Sequence, residues 1–143
     1  MIRYATQDDF EWVYALYEKN KYSLGPCYTA SLRKSIDTKQ LLVNENKTGF
    51  CEFHLPKTAK HISIYEVCVA DEHRRKGLGK EFIEFIKCNY NYPIQAICIP
   101  NTDAEYFWKS IAEYKGIKKS RKQKQLHVYF ISNNQYYTKE ELF

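Results

Sequence analysis

Helical and strand-like hydrophobic spacing alternate along these 143 residues. Residues 2–5 suit a short first strand. Thr6 and the acidic pair Asp8 and Asp9 precede apolar positions at Phe10, Val13, Tyr14 and Tyr17, which predicts a capped helix running to about Asn20. Gly25-Pro26 breaks it, and a weaker helical stretch carrying Leu32 and Ile36 follows. Tyr22, Tyr28 and the first-helix tyrosines suit either a cleft or the core. Residues 40–45 and 49–55 read as an antiparallel hairpin around Asn46-Lys47-Thr48. The run 62–70 is apolar on nearly every residue from Ile64, Glu66 excepted, which predicts a central strand covered on both faces. Lys80 to Asn89 has helical spacing, and Ile94 to Ile99 repeats the buried-strand pattern. These three predict a βαβ unit with adjacent parallel strands and a right-handed crossover.

Thr102 and Glu105 fit a capping box opening a helix that buries Ala104, Phe107, Trp108, Ile111 and Ala112, with Gly116 as its end. The basic run from Lys115 to Lys124 reads as a solvated loop, with an anionic contact as the alternative. Leu126 to Ile131 suits a last strand. The polar, aromatic tail after Asn133-Asn134 suits a short helix behind Thr138.

Composition narrows the class. The charged fraction of 27% and apolar fraction of 44% are those of a soluble globular protein, and the length suits a single domain over 1–143. No apolar run reaches membrane-span length, and no signal-peptide pattern is present, so a cytoplasmic location is expected. The five cysteines are odd in number and lack metal-ligand spacing, consistent with reduced thiols and no metal site. A net charge of +5 favours an anionic partner without choosing among nucleotide, nucleic acid and acidic protein.

The candidate chemistry centres on Arg74-Arg75-Lys76-Gly77-Leu78-Gly79, between a buried strand and a helix start. First-turn amides and the helix dipole favour an anion there, and glycines let a ligand approach the backbone. Taken alone, the six residues fit a plain basic turn equally well.

In order, the elements resemble the GNAT family of acetyl-CoA-dependent N-acetyltransferases. Three stretches carry the resemblance: Ile2-Arg3-Tyr4-Ala5-Thr6 with Asp9, Arg74-x-x-Gly77-x-Gly79 behind Glu66-Val67-Cys68-Val69, and Asn101-x-x-Ala104-x-x-Phe107. The resemblance implies an α/β fold, a central mixed sheet with helices on both faces. It implies that the amides around Arg75, Lys76, Gly77, Leu78, Gly79 and Lys80, with Arg74 beside them, hold the coenzyme A pyrophosphate. Val67, Cys68 and Val69 would meet the pantetheine arm through their main chain, the Val69 amide would polarise the thioester carbonyl, and Asn101 would hydrogen-bond the pantetheine.

Acetyl transfer to an amine requires the free base, so a proton acceptor is expected. Glu66 is the first candidate, with His61 and Tyr65 as weaker ones. Where the family usually has a tyrosine acid, this chain has Trp108, whose indole donates a hydrogen bond but is no acid. The glutamate often found on the fifth strand of protein N-terminal acetyltransferases is missing, since Gln95, Ala96, Ile97 and Cys98 stand there. The resulting expectation is direct, sequential acetyl transfer to a primary amine of a small molecule or peptide. A non-catalytic acyl-CoA-binding module and a basic nucleic-acid-binding domain are the rivals, the latter not favoured. No membrane partner is expected, and a homodimer is left open.

Overall fold

A computed structural model describes residues 1–21, 29–58 and 60–133. Its strands hydrogen-bond in the order β1-β2-β3-β4-β5-β7-β6 as a mixed seven-stranded sheet, accompanied by four α-helices. The chain divides into two units, Met1–His54 with Tyr65–Phe85, and Leu55–Ile64 with Ile86–Phe143.

In the first unit β1 (Ile2–Tyr4) pairs antiparallel with β2 (Leu41–Asn44), and β2 with β3 (Gly49–His54), so the predicted hairpin forms. Its turn is fixed by Asn44, whose Oδ1 accepts the Thr48 and Gly49 amides at 2.9 and 3.1 Å. The helices α1 (Phe10–Lys19) and α2 (Thr29–Asp37) bury Val13, Tyr17, Leu32 and Ile36 with Leu41 and Val43 of β2. Asp9 anchors the start of α1. Its carboxylate takes a forked pair of hydrogen bonds from Arg3 at 2.7 and 3.0 Å, and others from the Thr6 amide and the Trp12 indole. The Arg3 hydrogen bond, supported by those from Thr6 and Trp12, holds the Asp9 carboxyl well below the usual carboxylate range despite burial. Tyr17 belongs to the core and Tyr14 packs against it, whereas Tyr22 and Tyr28 lie outside the described residues.

β4 (Ile62–Val69) and α3 (Leu78–Asn89) pass through both units. In the second unit Ile62 and Ile64 of β4 pair parallel with Ile94 and Ala96 of β5 (Ile94–Cys98), as the βαβ pattern predicts. α4 (Asp103–Ile111) follows, then β6 (Glu113–Lys119) and β7 (Gln125–Ile131), which pair antiparallel; β7 also pairs with β5. The Asn133 amide group caps the end of α3, donating to the Tyr90 and Tyr92 carbonyls at 2.7 and 3.1 Å.

Several expectations are corrected. The basic stretch is not a plain loop: its first part is β6, the outermost strand of the sheet. Lysines suit such an edge because they discourage pairing with a further strand. Gly116 does not end α4, which stops at Ile111; it lies in β6 at a register shift, with φ +134. The capping box is half present: Thr102 accepts the Glu105 amide, but the Glu105 carboxylate turns to the Asn101 amide. Ala104 is exposed and Glu105 takes a buried place on α4. The central strands are not sealed on both faces, since Tyr65, Ile97 and Ile99 are exposed. Apolar composition marks surfaces that avoid water without saying that this chain covers them. The suggested helix behind Thr138 lies outside the described residues.

Candidate functional site

β4 ends where the Ala70 amide turns to the Thr48 carbonyl at 2.8 Å, and a single 3-10 turn, Asp71–His73, carries the chain round. Arg75 then adopts φ 64 and Gly77 φ 87, so the loop reverses twice into left-handed backbone before α3 begins. Arg75 accepts a conformation that costs an L-residue about 1–2 kcal/mol, a strain retained in a loop whose exposed surface is basic. The first helical hydrogen bond of α3 runs from the Glu81 amide to the Gly77 carbonyl, and the amides of the first turn precede it. Beyond its chain neighbours, no heavy atom of the described residues stands within 4 Å of where a Gly77 Cβ would project. The exposed Arg75, Lys76 and Lys80 place positive charge around these amides. Such a junction has the donors, open backbone and field to hold a pyrophosphate.

Arg74 has a different position. Its Nε donates to the Val69 carbonyl at 3.0 Å, and its Nη2 donates to Asn20 Oδ1 at 2.8 Å beside Asp71. The guanidinium therefore braces the end of β4 against Asn20, the residue that caps the C-terminus of α1. Val67 and Val69 are half-buried on β4 and Cys68 is buried. Burial pushes the Cys68 thiol up to about 12, and the Cys98 thiol to about 11. Neither is a ready thiolate, which argues against Cys68 or Cys98 as an acyl-carrying nucleophile. Glu66 is half-buried within β4, between Tyr65 and Val67, and His61 is half-buried just before the strand. Tyr65 stacks on His54 with ring centroids 3.8 Å apart.

Asn101 and Trp108 belong to the second unit. Asn101 occupies a left-handed turn at φ 62, its amide donating to Glu105 Oε1 at 3.0 Å. Trp108 is buried on α4, edge-on to Phe107. Tyr106 is exposed on the same helix, and Tyr114 lies on β6.

A buried polar cluster escaped the sequence reading. Glu105 Oε2 accepts the Tyr129 hydroxyl at 3.0 Å and makes a short contact with His127 Nδ1. The Asn101 amide, helped by the His127 and Tyr129 hydrogen bonds, holds the Glu105 carboxyl down at about 2 against desolvation. Burial, then the Glu105 hydrogen bond, raises the Tyr129 hydroxyl to about 12. His127 and Tyr129 alternate on one face of β7, and Glu105 shares the buried stripe of α4 with Trp108. A carboxylate on such a stripe was the available signal.

The model of the acetyltransferase (GNAT) family matches residues 4–87, more than half of the chain and all of the glycine junction. The chain belongs to the GNAT family. Solved structures share this GNAT fold at low identity. A GNAT-family protein of Desulfovibrio desulfuricans is 13% identical with a TM-score of 0.71, over 93% of this chain and 98% of that one. N-acetylglutamate synthase of Neisseria gonorrhoeae, complexed with coenzyme A and N-acetyl-glutamate, is 14% identical with a TM-score of 0.72, over 92% of this chain and 34% of that one. The ribosomal-protein-S18-alanine N-acetyltransferase of Escherichia coli is 12% identical with a TM-score of 0.67, over 96% of this chain and 99% of that one. No curated protein sequence matches the chain.

Proposed function

We propose that this GNAT protein transfers the acetyl group of acetyl-CoA directly to a primary amine. One observation carries the reading: the strand–glycine–helix junction at 74–80, where Gly77 opens the backbone in front of the first-turn amides of α3. Those amides, with Arg75, Lys76 and Lys80, would bind the pyrophosphate, and Val67 to Val69 would align the pantetheine along β4. Acetyl-CoA supplies an activated thioester. The Val69 amide would polarise its carbonyl, and Glu66 would take the proton that the acceptor ammonium must lose.

Trp108 is placed to pack, and with no phenol at that position the thiol leaves without a side-chain acid. A thiol near its ordinary pKa of about 8.5 leaves at modest cost at neutral pH. The buried indole also favours a second reading, an acyl-CoA-binding module without turnover. Initial rates with acetyl-CoA and amine varied together test the proposal: converging double-reciprocal lines are expected for direct transfer. Parallel lines with an isolable acetyl-protein contradict the direct step, and the lack of thiol release with any amine supports the binding module.

A further inference from the structure

We propose that the hollow between α4 and the β6–β7 hairpin is a second ligand site, one that takes a small organic carboxylate on His127 and Lys109. The cavity measures about 430 Å3 and is lined by Lys109, Ala112, Tyr114, His127 and Tyr129, within the span of small-molecule pockets, roughly 300–1,000 Å3. None of these residues belongs to the glycine junction or to β4.

The buried Glu105 sets the chemistry of the floor. As an ionised carboxylate it only accepts, so the proton in its contact with His127 sits on Nδ1. The imidazole is thereby oriented with one nitrogen committed, and Nε2 is the ring nitrogen left for a ligand. Lys109 Nζ stands 4.0 Å from Glu105 Oε1, and its side chain is 64% exposed, free to swing toward the cavity. The Glu105 oxygens are already taken by the Asn101 amide, the Tyr129 hydroxyl and His127. The standing charge offered to a ligand is therefore that of Lys109, and a carboxylate at Nε2 bonds to the ring only as the imidazolium.

The walls are suited to carbon. Tyr114 stands edge-on to His127 at 5.2 Å and to Tyr129 at 5.6 Å, and Ala112 adds a methyl. Two nitrogen donors against an aromatic wall match a carboxylate with a flat body. Inorganic phosphate would leave oxygens unpaired against the same wall. The ionisable groups around His127 are Glu105 and Lys109 of α4, Tyr114 of β6, Tyr129 of β7 and Cys98 opposite it on β5. Binding of a carboxylate at Nε2 therefore takes up a proton.

The test is NMR of the histidine ring signals in the labelled full chain, titrated with sodium benzoate and separately with inorganic phosphate, with and without coenzyme A. Benzoate should shift the His127 signals saturably, raise their titration midpoint, and bind equally well with coenzyme A present. Lys109→Met, at an exposed position, should weaken binding about tenfold, the scale of one charge-assisted hydrogen bond. His127→Gln should abolish it. A lack of His127 response to benzoate, tighter binding of phosphate than of benzoate, undiminished binding in Lys109→Met, or displacement of benzoate by coenzyme A overturns the proposal.

Discussion

Replacing Gly77 by alanine separates backbone strain from loss of an anion cradle. Gly77 sits at φ +87, and beyond its chain neighbours nothing among the described residues lies within 4 Å of the added methyl, so the substitution makes no clash with them. Its cost to stability is conformational, about 1–2 kcal/mol for an L-residue in left-handed backbone. For a chain of this size that lowers the melting temperature by roughly 3–10 °C. Gly116 supplies the control, since it too has positive φ, at +134, and open space around its Cβ position. Gly116→Ala should lose at least as much stability, because φ +134 lies farther from the left-handed well. Gly77 immediately precedes α3 and Gly116 lies in β6, so only the Gly77 methyl adjoins the first-turn amides. Displacing one hydrogen bond to a charged phosphate costs about 1.5–3 kcal/mol, or tenfold and more in affinity. Calorimetric titration with coenzyme A, paired with thermal melts, reads both effects. The expected result is weaker binding by Gly77→Ala and unchanged binding by Gly116→Ala. If Gly77→Ala binds as the parent does, or if both variants lose affinity in step with stability, the junction is not a pyrophosphate site.

Three further outcomes follow from named contacts. Asp9→Asn removes the forked ion pair with the part-exposed Arg3 and weakens the Thr6 and Trp12 bonds to the carboxylate, and should cost about 1–3 kcal/mol at neutral pH. Because the Asp9 pKa is lowered by folding, its stabilisation is complete above the unfolded value of about 4 and fades as pH falls through the lower folded value. Melts across that range should lose this acid-sensitive component in the variant, and an unchanged melting temperature at pH 7 contradicts the account. Mild alkylation should label the exposed Cys88 before the buried Cys51, Cys68 and Cys98. Peptide mass mapping that finds Cys68 modified first would refute its burial. Glu66→Gln should lower the rate of acetyl transfer about 10²-fold or more and abolish the acidic limb of its pH profile; an unaltered profile removes Glu66 as the base.

The fold was legible wherever periodicity and local turn chemistry agreed. Phe10, Val13 and Tyr17 mark α1, the Asn44 to Gly49 turn closes a hairpin, and two apolar strands flanking α3 form a parallel pair. β6 was not legible, because charged residues dominate Glu113 to Lys119 and their strand character comes from pairing with β7. Gly116 looks like a helix stop in sequence and proves to be a place where that pairing shifts register. At the candidate site the glycine junction is local and readable in seven residues. The commitment of Arg74 to Val69 and Asn20 is not, since Asn20 lies 54 positions away. The Glu105, His127 and Tyr129 cluster is likewise assembled across more than 20 positions of sequence. In the sequence, Glu105 reads as half of a capping box, a local role that conceals its long-range one.

The most direct test of the central claim is product detection. The protein is incubated with isotope-labelled acetyl-CoA and a panel of amines spanning polyamines, aminoglycosides, peptides and tRNA, with released thiol and acetylated product both measured by mass. Direct transfer predicts at least one labelled N-acetyl product, formed in equal amount to free coenzyme A, with no label left on the protein. Binding of acetyl-CoA with no acetylated amine and no thiol release would contradict it.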